Sequence, residues 1–219
     1  MNKGNVRSVI EQIGIIPAIR VSSPDDALFA AEAVSSSGIP IVEVTMTVPG
    51  AVEVISELTR NNPKLVVGAG TVLNLEIARR CLDAGAKFMT SPGLDLEIVD
   101  FAVKQETVVF PGALTPTDVM AACKAGSDFV KIFPCAQLGG PSYIKALKSP
   151  FPDVPFIASG GVNQGNTIDF ILAGAIAIGV GRDLIQPHAI ERREREWIRE
   201  LSRRFLHKVH EARDRLRPG

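Results

Sequence analysis

Lys131 stands inside Asp128-Phe129-Val130-Lys131-Ile132-Phe133-Pro134, an apolar run of strand-forming residues closed by proline. An unpaired ammonium is costly to bury, and burial favours the neutral amine that attacks ketones. Taken alone, the run favours a plainer reading, a strand-end lysine whose stem is covered and whose head reaches water. Glu43, in Ile41-Val42-Glu43-Val44, is a carboxylate among β-branched neighbours. Such a group suits proton transfer near neutrality, or a fixed ion pair with Arg20 or Lys131, and the two readings are compatible.

Two glycine-rich turns, Gly160-Gly161 and Gly179-Val180-Gly181-Arg182, follow the last two predicted strands. Bare backbone N–H groups in such turns can close on a phosphate, and Arg182 adds charge; the alternative is that the glycines only permit tight turns. Two such turns in the two expected places favour phosphate. Thr71 and Ser159 offer hydroxyls, and Pro92 and Phe133 offer apolar wall, though each alone reads as filler. No His/Asp/Glu set has metal-ligand spacing, and His188, His207 and His210 fall in or beside the last helix, where they read as surface residues. The residues therefore offer no metal site and no Ser-His-Asp arrangement. Cys135 lies near the lysine strand and reads as a small packing residue.

Positioning these groups requires a repeated element. After an opening helix over Asn2–Ile13, strands are predicted at Ile15–Arg20, Ile39–Thr45, Leu65–Gly70, Lys87–Ser91, Val108–Pro111, Phe129–Phe133, Pro155–Ser159 and Ala175–Val180. Helices follow them from Ser22-Ser23-Pro24, at Pro49–Arg60, Asn74–Ala84, Asp95–Lys104, Thr115–Lys124, Pro141–Lys148 and Asn163–Leu172. A long last helix covers Ala189–Leu216, with Ile198, Leu201, Phe205, Val209, Ala212 and Leu216 on its packed face. Ser-Pro, Asn, Asp and Thr-Pro open helices, while Gly38, Gly85, Gly126 and Gly174 close them. Eight β/α units predict an α/β fold, a (β/α)8 TIM barrel forming one domain over residues 1–219, with an open doubly wound sheet as the alternative. Chemistry in a barrel collects at the carboxyl ends of the strands, where Arg20, Glu43, Thr71, Pro92, Lys131, Phe133, Ser159 and the two glycine-rich turns fall.

A zero formal net charge gives no global field toward nucleic acid or an anionic membrane. From Gln186 onward ten Lys/Arg stand against six Asp/Glu, a surplus placed on the last helix and read as a solvated face. Three scattered cysteines, a start without signal-peptide pattern and the lack of a long apolar stretch predict a cytoplasmic protein.

Glu43-Val44-Thr45, Gly68-Ala69-Gly70-Thr71-Val72, Ser91-Pro92-Gly93, Phe110-Pro111-Gly112, Lys131-Ile132-Phe133-Pro134 and Gly160-Gly161-Val162 resemble, in order and spacing, the motifs of class I 2-keto-3-deoxy-6-phosphogluconate (KDPG) aldolases. Many members also take 4-hydroxy-2-oxoglutarate (KHG). The resemblance runs from Ile15 to about Ile185. It implies that Lys131 forms an imine with the substrate C2 ketone, with no separate cofactor, and that Glu43 shuttles protons through a water. It further implies that Thr71 approaches the pyruvoyl carboxylate, that Pro92 and Phe133 wall the Schiff base, and that Gly160, Gly161, Gly181 and Arg182 hold phosphate. A homotrimer and a place in the Entner–Doudoroff pathway are also implied.

Three departures matter. Many members carry arginine where this chain has Thr47, and that arginine contacts the substrate carboxylate. Another branch has arginine at the end of strand one, as Arg20 is here, so Arg20 is expected to take that role. Ser159 replaces a usual threonine, and Arg182 stands where serine is frequent. The expected reaction is cleavage of KDPG to pyruvate and glyceraldehyde 3-phosphate, with KHG as a further substrate. The rivals are the galactonate epimer of KDPG, which Gly140-Pro141-Ser142-Tyr143-Ile144-Lys145-Ala146-Leu147 also resembles, a phosphosugar isomerase on the same barrel, and an idle phosphate-binding barrel.

Overall fold

A computed structural model describes residues 1–217; residues 218 and 219, the end of the expected domain, lie outside the described residues. The first half of the chain runs α1 Lys3–Ile13, β1 Ile15–Ile19, α2 Pro24–Ser35, β2 Ile41–Thr45, α3 Ala51–Asn61, β3 Val66–Gly70, α4 Leu75–Asp83, β4 Phe88–Thr90 and α5 Leu96–Lys104. It continues with β5 Val108–Phe110, β6 Gly112–Ala113, α6 Pro116–Lys124, β7 Val130–Ile132, a 3-10 turn at Ala136–Leu138 and α7 Pro141–Lys148. The last elements are β8 Phe156–Ser159, α8 Thr167–Leu172, β9 Ala175–Val180, α9 Pro187–Glu191 and α10 Arg195–Leu216.

All strand pairs are parallel, in the order β5-β4-β3-β2-β1-β9-β8-β7-β6. The two outermost segments are halves of one strand, interrupted at Pro111, which has no N–H to give to a ladder. Before the proline the strand pairs with β4; after it, with β7. The Pro111 carbonyl accepts the Lys131 N–H at 3.0 Å, and Val109 O accepts Asp128 N–H at 2.9 Å. The sheet is thereby closed into the TIM-like barrel expected from the eight β/α units.

The amino end of the barrel is filled by aromatic rings and covered by α1. Phe88 and Phe110 stack at 5.3 Å, and Phe129 meets Phe110 edge-on at 6.0 Å. Asp128 Oδ2 accepts Val109 N–H at 3.0 Å and pairs with Lys3 Nζ of α1 at 3.0 Å. Arg213 of α10 donates to the carbonyls of Glu11 (2.6 Å) and Gln12, acceptors that the end of α1 leaves open, and to that of Ile176 in β9 (2.9 Å).

The predicted caps form. Ser23, Asn74, Asp95 and Thr115 each accept backbone N–H groups at helix starts, and Asp118 completes a capping box with Thr115. Gly38, Gly85, Gly126 and Gly174 adopt positive φ just past helix ends.

Four expectations are corrected. The last helix is not continuous from Ala189: it breaks at Arg192–Glu194, where Arg193 has φ 54°. Arg193 turns the corner with its side chain paired to Asp26 at 3.1 Å and laid over the Phe29 ring at 4.9 Å, and α10 then packs on α8 and α2. Leu216 is exposed although five of its predicted face-mates are buried, because the last turn from Asp214 is exposed all round. The helix predicted from Asn163 starts at Thr167. Asn163 Oδ1 accepts the N–H groups of Gly165 (2.8 Å) and Asn166 (3.2 Å), a local turn that competes with helix. Strand two starts at Ile41 rather than Ile39, after Pro40, which cannot donate to a ladder.

Candidate active site

Small residues hollow out the carboxyl end of the barrel. Ala18 pairs with Glu43, Glu43 with Gly68, Thr45 with Gly70, Gly112 with Lys131, and Ser159 with Gly179. A Cβ on Gly70 would overlap the Glu43 carboxylate, so that carboxylate lies across the bare backbone of its neighbouring strand. A Cβ on Gly112 would run into the Pro92 carbonyl, and one on Gly179 would come within 2.8 Å of Ser159 Oγ. The glycines leave a cavity of about 390 Å³ whose lining includes Arg20, Glu43, Lys131, Phe133, Ser159, Gly160, Gly161, Gly181 and Arg182.

Nine of the eleven predicted site residues therefore share one cavity. Glu43 and Lys131 are only 4% and 8% exposed. Lys131 Nζ stands 5.5 Å from the Phe133 ring centroid, a cation–π distance. Among the described residues neither Lys131 nor Glu43 has an opposite charge within 4.0 Å, so the fixed ion pair offered as one reading of Glu43 does not form. Two charge-bearing side chains are thus buried, unpaired and turned toward the same space. That arrangement is expensive for a fold that gains nothing from it.

Thr71 and Pro92 are not in the cavity wall. Thr71 is reached instead through Arg20, whose Nη2 donates to Thr71 Oγ1 at 3.4 Å. Thr71 has φ 58°, a left-handed conformation that is costly for a β-branched residue and that collects at ligand sites. Pro92 is half-buried, its carbonyl against Gly112. Thr47, at the position where many relatives of the resemblance carry arginine, is exposed and bonded to Thr45 Oγ1 at 2.7 Å.

At the far side of the cavity Gly160 and Gly161 both have positive φ, 87° and 78°. Their carbonyls are tied back to protein donors, Ala136 N–H and Asn166 Nδ2, each at 3.0 Å. Arg182 is exposed at this rim and makes no ion pair among the described residues. Asp183 also lines the rim; its place one residue past the Gly181-Arg182 turn was the signal that could have found it. Cys135 is buried with its thiol pushed up to about 12 by desolvation, in keeping with packing rather than nucleophilic duty. His188, His207 and His210 are exposed and are not among the residues that line the cavity.

Residues 6–201 match the profile of the aldolase family described as KDPG and KHG aldolase. The chain belongs to that family. It is a carbon–carbon lyase of the class I aldolase family, and relatives align along nearly the whole barrel. It is 31% identical to the KHG/KDPG aldolase of Escherichia coli K12 over 202 residues, 92% of this chain and 94% of that one. Among solved structures, a KDPG aldolase from Legionella pneumophila, with pyruvate captured as a covalent carbinolamine, is 31% identical at TM-score 0.85, covering 90% of this chain and 96% of that one. A structure described as native KDPGal is also 31% identical, at TM-score 0.84 over 91% of this chain and 96% of that one. The aldolase barrel carries no helix long and apolar enough to cross a membrane among its described residues.

Proposed function

We propose that the chain is a Schiff-base aldolase that cleaves KDPG to pyruvate and glyceraldehyde 3-phosphate, with KHG, cleaved to pyruvate and glyoxylate, as a second substrate. The observation that carries this reading is the buried, unpaired Lys131 and Glu43 turned into one cavity at the carboxyl end of the barrel. Lys131 Nζ adds to the C2 ketone, and loss of water gives an iminium ion. Glu43, through a water, supplies and takes the protons of those steps and removes the C4 hydroxyl proton. The C3–C4 bond then breaks, its electron pair passing into the iminium to give an enamine as the aldehyde leaves. Protonation at C3 and hydrolysis free pyruvate and restore the amine.

Arg20 binds the substrate carboxylate with Thr71, the hydroxyl it already touches. Phe133 bounds the apolar side of the imine, with Pro92 set behind the wall against Gly112, and Ser159 offers a hydroxyl beside it. Gly160, Gly161 and Gly181 hold the distal phosphate with Arg182, whose charge is free to pair with it. A second reading, the galactonate epimer, is favoured by the resemblance of Gly140-Pro141-Ser142-Tyr143-Ile144-Lys145-Ala146-Leu147 to its aldolases and by the likeness to the native KDPGal structure.

Pyruvate release over a panel of phosphorylated and unphosphorylated 2-keto-3-deoxy sugar acids tests the assignment. The gluconate phosphate is expected to give the highest kcat/KM; a tenfold preference for the galactonate phosphate transfers the assignment to the epimer. Equal rates without phosphate would remove the phosphate role. We carry over the cytoplasmic location and homotrimer from the family resemblance; light scattering at the mass of three 23.4 kDa chains tests the latter.

A further inference from the structure

A second cavity, of about 370 Å³, lies beside the catalytic one, and the two share Arg20 and Arg182 in their linings. Arg20 follows β1 and Arg182 follows β9, and these strands are neighbours in the sheet. The catalytic cavity alone already has the size of a small-molecule site, about 300–1,000 Å³, so the second space is additional to it.

The walls of the side cavity are tied in place. Asp26, in the first turn of α2, pairs with Arg193 at 3.1 Å, and Trp197 Nε1 donates to Gln186 at 2.9 Å. These contacts fix the start of α2 and both ends of α9, the elements between which the cavity lies. Ile185 and Ile190, 4% and 6% exposed, and the half-buried Val21 give it apolar surface. Its other polar groups are acceptors. Ser22 Oγ already donates to Asp26 at 3.4 Å, and Glu191 is exposed with no ion pair among the described residues.

Those charges decide what fits. Past the two arginines an anionic tail meets the carboxylates of Asp26 and Glu191. A chain of neutral hydroxyls instead finds acceptors at Ser22 and Glu191 and lays its C–H faces on Ile185, Ile190 and Val21. Arg182 is exposed and makes no ion pair among the described residues, so it can turn aside for such a chain without losing a salt bridge.

Resting on the aldolase reading above, we propose that the side cavity extends the aldehyde subsite and takes the neutral polyhydroxyl tail of 2-keto-3-deoxy sugar acids longer than KDPG. In the direction of synthesis, the Lys131 enamine of pyruvate forms a bond from its C3 to the aldehyde carbon as the nitrogen lone pair makes the iminium. The aldehyde π pair moves to oxygen, which takes a proton through the Glu43 water. Hydrolysis of the iminium then releases the longer acid and restores the amine.

The test compares addition of pyruvate to glyceraldehyde and to arabinose, a five-carbon unphosphorylated aldose, with the product acids followed by mass spectrometry. The wild-type enzyme is expected to form the eight-carbon acid from arabinose. Val21→Trp, which fills the cavity, should lower kcat/KM for arabinose about tenfold while leaving glyceraldehyde within twofold. Glu191→Ala, an exposed change that keeps the fold, should lower it about three- to tenfold for arabinose alone, the weight of one hydrogen bond. No eight-carbon product from the wild type, or an arabinose rate that neither variant lowers selectively, overturns the proposal. A wild-type protein that neither traps pyruvate with borohydride nor adds it to glyceraldehyde overturns the aldolase reading itself.

Discussion

Gly70→Ala is a one-methyl change that should act through a residue on a different strand. The added Cβ would overlap Oε1, Cδ and Cγ of Glu43. Glu43 is 4% exposed, so its carboxylate cannot swing out to solvent without moving its neighbours. Overpacking of this kind costs about 1–3 kcal/mol of stability, or roughly 2–12 °C in thermal midpoint for a chain of this size. The chemical cost is larger. A positioned acid–base group contributes about 10²–10⁴ in rate, so displacing Glu43 should lower kcat by that factor, about 3–5 kcal/mol of barrier. Steady-state pyruvate release measures kcat, and borohydride trapping should still label Lys131, but more slowly, because Glu43 also moves the protons of imine formation. Gly4→Ala serves as the control: it sits exposed on α1, where its Cβ meets only Asn2 Oδ1 at 3.6 Å, and it should be stabilising by about 0.5–1 kcal/mol. A Gly70→Ala enzyme with kcat within twofold of wild type and an unchanged midpoint would refute the reasoning.

Arg20→Ala should raise the concentration of pyruvate needed for half-maximal borohydride trapping by about ten- to hundredfold, the worth of a charge-assisted hydrogen bond to a carboxylate; unchanged affinity would move the carboxylate elsewhere. Arg182→Ala should raise KM for phosphorylated substrates while sparing their unphosphorylated analogues, as paired kinetics will show. Asp118 is held below the usual carboxylate range by the N–H groups of Thr115 and Leu114. Its stabilisation is therefore full above the unfolded pKa of about 4 and is lost as pH falls through the lower folded value. Asp118→Ala should cost about 1 kcal/mol in urea unfolding at pH 7, and the gap to wild type should close on acidification toward pH 2.

Local signals carried most of the fold. Ser23-Pro24, Asn74, Asp95 and Thr115-Pro116 open helices because their side chains meet nearby N–H groups, and glycine closes helices because the next residue must turn left-handed. Features set by distant partners were not legible. The corner at Arg193 contains neither glycine nor proline and depends on Asp26 and Phe29, more than 160 positions earlier. Pro111 was read as a strand end, but only the closed barrel shows that the strand resumes beyond it to meet Lys131. In the site, Lys131, Glu43 and Arg20 could be collected from strand ends alone. That Gly70 makes room for Glu43 depends on register and parity around the ring, which periodicity along one strand does not encode.

The central claim is that Lys131 is an imine-forming amine. Incubation with pyruvate and borohydride, followed by peptide mass analysis, should place one reduced pyruvate on Lys131 and nowhere else, with Lys131→Met unlabelled and inactive. An unlabelled Lys131 in an enzyme that still releases pyruvate would contradict the account.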